Sequence, residues 1–315
     1  MKKKIGILIA LLLVVAVIVC VVLTSGKNEP EQNDEGLELI DSEVTEQPTE
    51  EPAGEPTEEP ALSGSEATEQ PAEEPDLLAR IQQKGELVIA TEGNWAPWTY
   101  HDTETNELVG FDVEVATLIA EKLGVKATFV ECPWESIFAG IDAKRYDIAA
   151  NGVEITDERA EKYDFSTPYG YIRTALVVHK DNTDINSFED LAGKSTVNSI
   201  ASTYMTLAES YGATATGVST LDMTIENVLY KRADATLNAE VSIYDYLSVH
   251  PDAAIKIVAL TDEASQVSIP VRKGDDSASF LEAVNNAIAE LAAEGKLSEL
   301  SLKYFGSDIT SPTTK

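Results

Sequence analysis

From Leu77 onward the apolar positions of this chain switch between two periods. Residues 86–91 (ELVIAT) form a short apolar run with the length of a strand. Over 111–123 the spacing changes, and Phe111, Val115, Leu118 and Ile119 fall on one helical stripe. The pattern predicts strands over 126–132 and 147–153, separated by a helix over 134–144. It continues with a strand over 195–199 and helices over 202–211 and 221–231. A strand over 234–238 and a helix over 240–250 follow. A longer amphipathic helix is expected over 277–293, with Phe280, Val284, Ile288 and Leu291 turned inward. Such alternation predicts an α/β fold whose sheets are covered on both faces.

The first 76 residues break this rhythm twice. Lys2–Lys4 precede 19 uncharged residues, 5–23, close to the roughly 20 that span a bilayer. Secretory h-regions usually run about 7–15 residues, so residues 1–26 read first as an uncleaved signal anchor. Cys20 leaves open a lipoprotein, although Val19 is a poor residue before the lipidated position, and plain secretion is the third option. Each option puts the body outside the membrane, with Lys2–Lys4 inside in the anchored case. Residues 27–76 are low in complexity, as in TEQPTEEPAGEPTEEP. Pro, Glu and Thr cannot bury enough surface to offset ordering entropy, so this stretch is expected to be a disordered tether.

Charge narrows the partners. The chain has 315 residues and a formal net charge of −32. Residues 27–76 hold 18 Asp and Glu against one Lys, about half of that total. Binding nucleic acid needs a basic face, so no nucleic-acid partner is expected. The two cysteines, Cys20 and Cys132, leave no disulfide within the exported body, and Cys132 is expected to be a small buried apolar residue. The three histidines are scattered, so no metal and no cofactor is expected.

Residues 151–169 (NGVEITDERAEKYDFSTPY) hold the most informative chemistry. Thr156 is a good N-cap, followed by Asp157 and Glu158. Arg159 then stands in the first turn against the helix dipole, at a cost of about 0.3–1 kcal/mol. An arginine so placed either pairs with Glu158 or Glu161 at the surface or grips a carboxylate with its two-pronged guanidinium.

Residues 151–169, together with 110–124 (GFDVEVATLIAEKLG), 145–147 and 303–310 (KYFGSDIT), resemble the bacterial extracellular amino-acid-binding proteins of ABC importers, solute-binding protein family 3. The likeness covers about residues 77–310 and is strongest to cystine-binding members. It implies a periplasmic-binding-protein-like type II fold, with two lobes, two hinge crossings and a ligand cleft. The crossings are expected near 170–176 and 264–269. Lobe 1 is then about 77–171 and 267–310, and lobe 2 about 172–266.

A free amino acid is a zwitterion, so its site needs an anion receptor, a cation receptor and walls. The resemblance implies that Arg159 holds the α-carboxylate. Ser202 and Thr203 open the 202–211 helix, whose free N–H groups favour an anion, although Ser202 also reads as a plain N-cap. On the ammonium side the chain departs from the family. Ala239 stands where members usually carry an aspartate, and Glu154 where they mostly have a small hydroxyl residue. The negative charge is therefore expected to have moved to Glu154, with Glu240 as rival and Asn238 as a secondary contact. Alignment by the motifs puts Glu92, Trp95, Trp98 and Trp134 on pocket positions, with ordinary core packing the alternative for Trp98. Asn151 and Gly152 are expected to approach the ligand with strand-end backbone. Tyr163, Phe165, Pro168 and Tyr169 are expected to be structural.

The expected function is capture of cystine or another polar amino acid and delivery to ABC permease subunits, by a non-catalytic and monomeric protein. Two weaker readings remain. A dehydratase-like enzyme on this fold would use Glu154 or Glu240 as a general acid, but no nucleophile–base pair is evident. A sensor would have only Lys2–Lys4 inside the membrane to signal with.

Overall fold

The computed structural model describes residues 75–312. The expected anchor (1–26) and almost all of the expected tether (27–76) lie outside the described residues. Among the described residues, no helix is long and apolar enough to cross a membrane.

In chain order the first elements are α1 (Leu77–Lys84), β1 (Glu86–Thr91), β2 (Asn94–Trp95), β3 (Thr99–His101), β4 (Leu108–Val109), α2 (Phe111–Lys122) and β5 (Lys126–Glu131). Next come α3 (Ile137–Asp142), β6 (Ile148–Ala149), α4 (Asp157–Lys162), β7 (Tyr163–Phe165), β8 (Gly170–Ile172) and β9 (Thr174–His179). The middle of the chain forms β10 (Ser195–Ser199), α5 (Thr203–Ser210), β11 (Thr214–Val218), α6 (Leu221–Leu229), β12 (Ala235–Ala239), α7 (Glu240–Val249) and β13 (Ile255–Leu260). The last elements are β14 (Ser265–Val267), β15 (Pro270–Arg272), α8 (Ala278–Ala293) and α9 (Lys296–Phe305).

Ten of the strands form two five-stranded sheets, one per lobe, while β2-β3-β4 and β14-β8 form two smaller ones. The first has the order β5-β1-β6-β15-β7 and the second β11-β10-β12-β9-β13. In each five-stranded sheet a parallel core of three strands is followed by one reversed strand and an edge strand antiparallel to it. β1 runs parallel to β5 and β6, while β15 is antiparallel to β6 and β7. β10 runs parallel to β11 and β12, while β9 is antiparallel to β12 and β13. Burial follows this plan. Leu87, Ile89, Phe111, Ile119 and Phe280 are fully buried in the first lobe, and Leu176, Val177, Ile225 and Leu237 in the second. Each such side chain contributes roughly 1.5–3 kcal/mol relative to exposure.

The chain leaves the first sheet after β7, joins the second at β9, and returns between β13 and β15. The intervening strands β8 and β14 pair antiparallel, with Val267 opposite Gly170 and Ser265 opposite Ile172. The first crossing is shorter than the expected 170–176, because residues 174–179 already belong to the buried β9.

Several boundaries differ from the periodic reading. The expected helix over 134–144 is a 3-10 turn at Trp134–Ser136 followed by α3. The expected strand over 147–153 pairs only at Ile148 and Ala149. It ends there because Gly152 takes a left-handed φ of 55°, which turns the backbone out of the sheet. Helices α1 and α9 and strands β9, β11 and β13 are among the elements not predicted by the apolar pattern. The local signals for α1 were its caps: Asp76 accepts from the Ala79 amide, and Gly85 closes the helix in the αL conformation.

Candidate functional site

Ligands of open α/β sheets bind beyond the carboxyl ends of parallel strands. Here those ends from both sheets face one pocket between the lobes. Glu92 follows β1, Trp134 follows β5, and Asn151 and Gly152 follow β6. Ser202 and Thr203 follow β10, and Asn238 lies at the end of β12.

Arg159 enters from α4. Its backbone N–H donates to the Thr156 hydroxyl, the N-cap that was expected. Its guanidinium donates from Nη1 to the Glu154 carbonyl oxygen at 2.9 Å. The same group lies 5.1 Å from the Trp134 ring centroid and 5.2 Å from that of Phe138. The two rings meet edge to face, and cation–π contact with both holds the guanidinium while leaving other N–H donors for a ligand. Surface pairing is not what the structure shows: Glu158 pairs with Lys162 at 3.1 Å, and Arg159 forms no ion pair among the described residues. Burial lowers the pKa of Arg159, and the Glu154 carboxylate works against that shift.

Glu154 is buried, 5% exposed, so it is not a surface acid. Its backbone bridges to Val267 of β14, which fixes its place beside the crossing. Its Oε1 accepts from the Thr203 hydroxyl at 2.8 Å, across the cleft. It forms no ion pair among the described residues. The Arg159 guanidinium acts on this carboxylate electrostatically but not within ion-pair distance, which leaves the carboxylate able to receive a ligand cation.

The rival acid is occupied elsewhere. Glu240 accepts from Arg173 Nη2 at 2.8 Å and from Arg173 Nε at 3.2 Å, a two-pronged pair outside the pocket lining. Ala239 is fully buried and caps α7. Asn238 is 1% exposed and accepts from the Ala239 amide.

Ser202 is an N-cap, accepting from the Met205 amide at 3.2 Å, and it also lines the pocket. Thr203 begins α5 and touches Glu154. Asn151 ties the strand ends together. Its Oδ1 accepts from the Glu92 amide at 2.8 Å, and its Nδ2 donates to Glu92 Oε2 at 2.7 Å. Burial pushes the Glu92 carboxyl up to about 7, with the Asn151 bond pulling it down and Glu135 adding to the rise.

Trp95 and Trp134 line the pocket, but Trp98 does not. The fully buried Trp98 stacks behind Trp95, with centroids 5.5 Å apart, and packs on Phe111 and Phe305. The core alternative therefore describes Trp98, one layer behind the wall. Gly152 is required twice over: its φ is positive, and a Cβ there would come within 2.7 Å of the Trp95 ring. Cys132 is half-buried rather than enclosed, and burial raises its thiol pKa.

Several contributors escaped sequence reasoning. Asn94, Ser199, Tyr204 and Leu221 also line the pocket. Asp112 lies beneath it, accepting from the Gly152 amide and, at 2.9 Å, from the Tyr169 hydroxyl. Burial lifts Asp112 to about 7. The signal was available, since Asp112 and Tyr169 both lie in the quoted motifs, but only the fold brings them together.

A family model described as bacterial extracellular solute-binding proteins, family 3, matches residues 87–307. The L-cystine-binding protein TcyA of Bacillus subtilis (strain 168) is 40% identical over 235 residues, covering 75% of this chain and 87% of the relative. A solved ancestral arginine-binding protein bound to arginine is 32% identical, with a TM-score of 0.66 over 70% of this chain and 99% of that one. The L-cystine solute receptor of Neisseria gonorrhoeae, unliganded and open, is 40% identical, with a TM-score of only 0.52 over 74% of this chain and 98% of that one. The less identical but ligand-bound structure superposes better. A second bond crosses the cleft, from Trp134 Nε1 to the Ala201 carbonyl oxygen at 3.3 Å.

Proposed function

This chain belongs to the bacterial extracellular solute-binding proteins, family 3, and from that premise we propose that it captures a free amino acid between its two lobes and delivers it to the permease of an ABC importer. One observation carries the reading. A guanidinium and a buried carboxylate, Arg159 and Glu154, line one interlobe pocket, and neither is in an ion pair among the described residues. That pair matches the two charges of a zwitterion. In this reading Arg159 and the start of α5 take the α-carboxylate, and Glu154 takes the ammonium in place of the family's aspartate at Ala239. Trp95, Trp134, Asn151 and Gly152 shape the walls, and Asn238 supplies an amide.

Cystine is the first candidate, supported by the names of TcyA and of the gonococcal receptor. Another polar amino acid is the alternative. The body works on the outer side of the membrane, with residues 1–26 holding it there. The tether keeps it near the permease and so raises its effective concentration.

The test is a thermal-shift screen of the purified protein with the twenty amino acids, cystine, ornithine and several α-keto acids. A ligand at about 100 times its Kd should stabilise by roughly 2.7 kcal/mol, a readable shift. A shift with one class of amino acid establishes capture and names the cargo. No shift with any amino acid sinks the reading.

A further inference from the structure

Beyond its N-cap, the first turn of α5 brings two hydroxyls to the pocket, from Thr203 and Tyr204. They are used differently. Thr203 Oγ1 donates across the cleft to Glu154 Oε1 at 2.8 Å. The Tyr204 hydroxyl is buried and has no hydrogen-bond partner among the described residues. A buried hydroxyl left unpaired is costly, so a tyrosine rather than a phenylalanine here calls for a use.

The surroundings of that hydroxyl indicate the use. Tyr204 is 5% exposed, and burial followed by the Glu154 carboxylate raises its pKa well above the usual phenol value, while Arg159 pulls the other way. The hydroxyl therefore keeps its proton and meets the carboxylate as a donor, close enough to interact but short of hydrogen-bond geometry. Glu154 is fixed to the first lobe by its bridge to Val267, and both hydroxyls belong to the second lobe. An ionised carboxylate has about four lone-pair sites, so two hydroxyl donors still leave room for an ammonium. The first-turn amides of α5 have no partner within the helix and remain for the ligand's carboxylate.

We propose that Tyr204 is a positioning residue for ammonium capture: together with Thr203 it orients the Glu154 carboxylate from the opposite lobe, so that the cation receptor is complete only when the two lobes meet. The inference rests on the capture reading. It divides the start of α5 into amides that serve the ligand's anion and hydroxyls that serve the protein's own. Approach of the lobes and capture of the ammonium are then one event.

The test is titration calorimetry on the purified full-length protein with the twenty amino acids and L-cystine, paired with urea denaturation of the ligand-free protein. Tyr204→Phe keeps the ring and removes only the oxygen. It should weaken the amino acids that bind wild type by roughly tenfold, as for loss of a hydrogen bond to a charged group. Its urea midpoint without ligand should stay level or rise, because the fold loses no hydrogen bond. Thr203→Val should weaken binding by a similar factor, and Thr203→Ser, which keeps a hydroxyl, should stay within a few-fold of wild type. Unchanged affinity in Tyr204→Phe overturns the inference. A urea midpoint that falls along with the affinity overturns it too, since that marks a hydroxyl serving the fold; capture survives both outcomes. Binding of none of these ligands by wild type removes the capture reading and this inference with it.

Discussion

Arg159 and Glu154 meet through the main chain, but their charged groups are free to face a ligand. Arg159→Ala should therefore weaken amino-acid binding by roughly 2–5 kcal/mol, because the ligand carboxylate loses its two-pronged partner in a buried site. Glu154→Gln should cost a similar amount if it holds the ammonium. Calorimetry checks both, and unchanged affinity in Glu154→Gln would remove that assignment. At this scale the sequence was informative about which residue types mattered and less so about depth. Arg159 was legible because it opposes a helix dipole within a recognisable motif. Trp98 was not, because an indole on a pocket wall and one stacked behind it have the same local sequence. Nor could spacing distinguish Glu154 from Glu240. The distinction lies in Arg173, 67 positions from Glu240 and paired with it in the fold.

At the scale of elements, most long helices were readable, while the short and edge strands, the buried central strand β9 and the last helix α9 were not. Helices α2 and α8 announce themselves by an apolar stripe. Strand β6 is two residues long because the turn at Gly152 cuts it off. Strand β13 was missed because it sits at a sheet edge, where most of its residues stay half-buried and the contrast between its faces is weak. The turn yields a prediction of its own. In Gly152→Ala the new methyl meets the Trp95 ring in a backbone conformation that alanine disfavours, so about 1–2 kcal/mol of stability should be lost. Binding should weaken too, as Trp95 is pushed into the pocket. Urea denaturation of wild type and variant, followed by calorimetry, tests both. Wild-type stability in Gly152→Ala would mean that the turn relaxes freely.

For the whole molecule, two buried acids tie stability to pH. Burial raises Glu92 from 4.5, and Asp112 from 3.8, to about 7. The folded state therefore holds protons that the unfolded chain has released. The contribution of both groups is present below about pH 4 and is lost as pH rises through about 7. Urea midpoints measured from pH 5 to 8 should fall with rising pH, and Glu92→Gln should flatten part of that slope. A slope identical in the variant would exclude Glu92 as a source. The two-lobe plan itself came from the motifs in their order. Apolar periodicity has no means of showing that residues far apart in sequence, such as β6 and β15, share one sheet.

The pairing of Glu154 with Val267 has a mechanical consequence. The Ile155 amide donates to the Gln266 carbonyl oxygen and the Ser268 amide to that of Val153, both at 2.9 Å, so the segment presenting the carboxylate is stitched along the returning crossing. A load applied at that carboxylate is thus delivered at the fulcrum between the lobes, where a small displacement sweeps the largest arc at the rims. Under the proposed assignment of Glu154, the cargo sits at the axle of the molecule and the rims travel farthest.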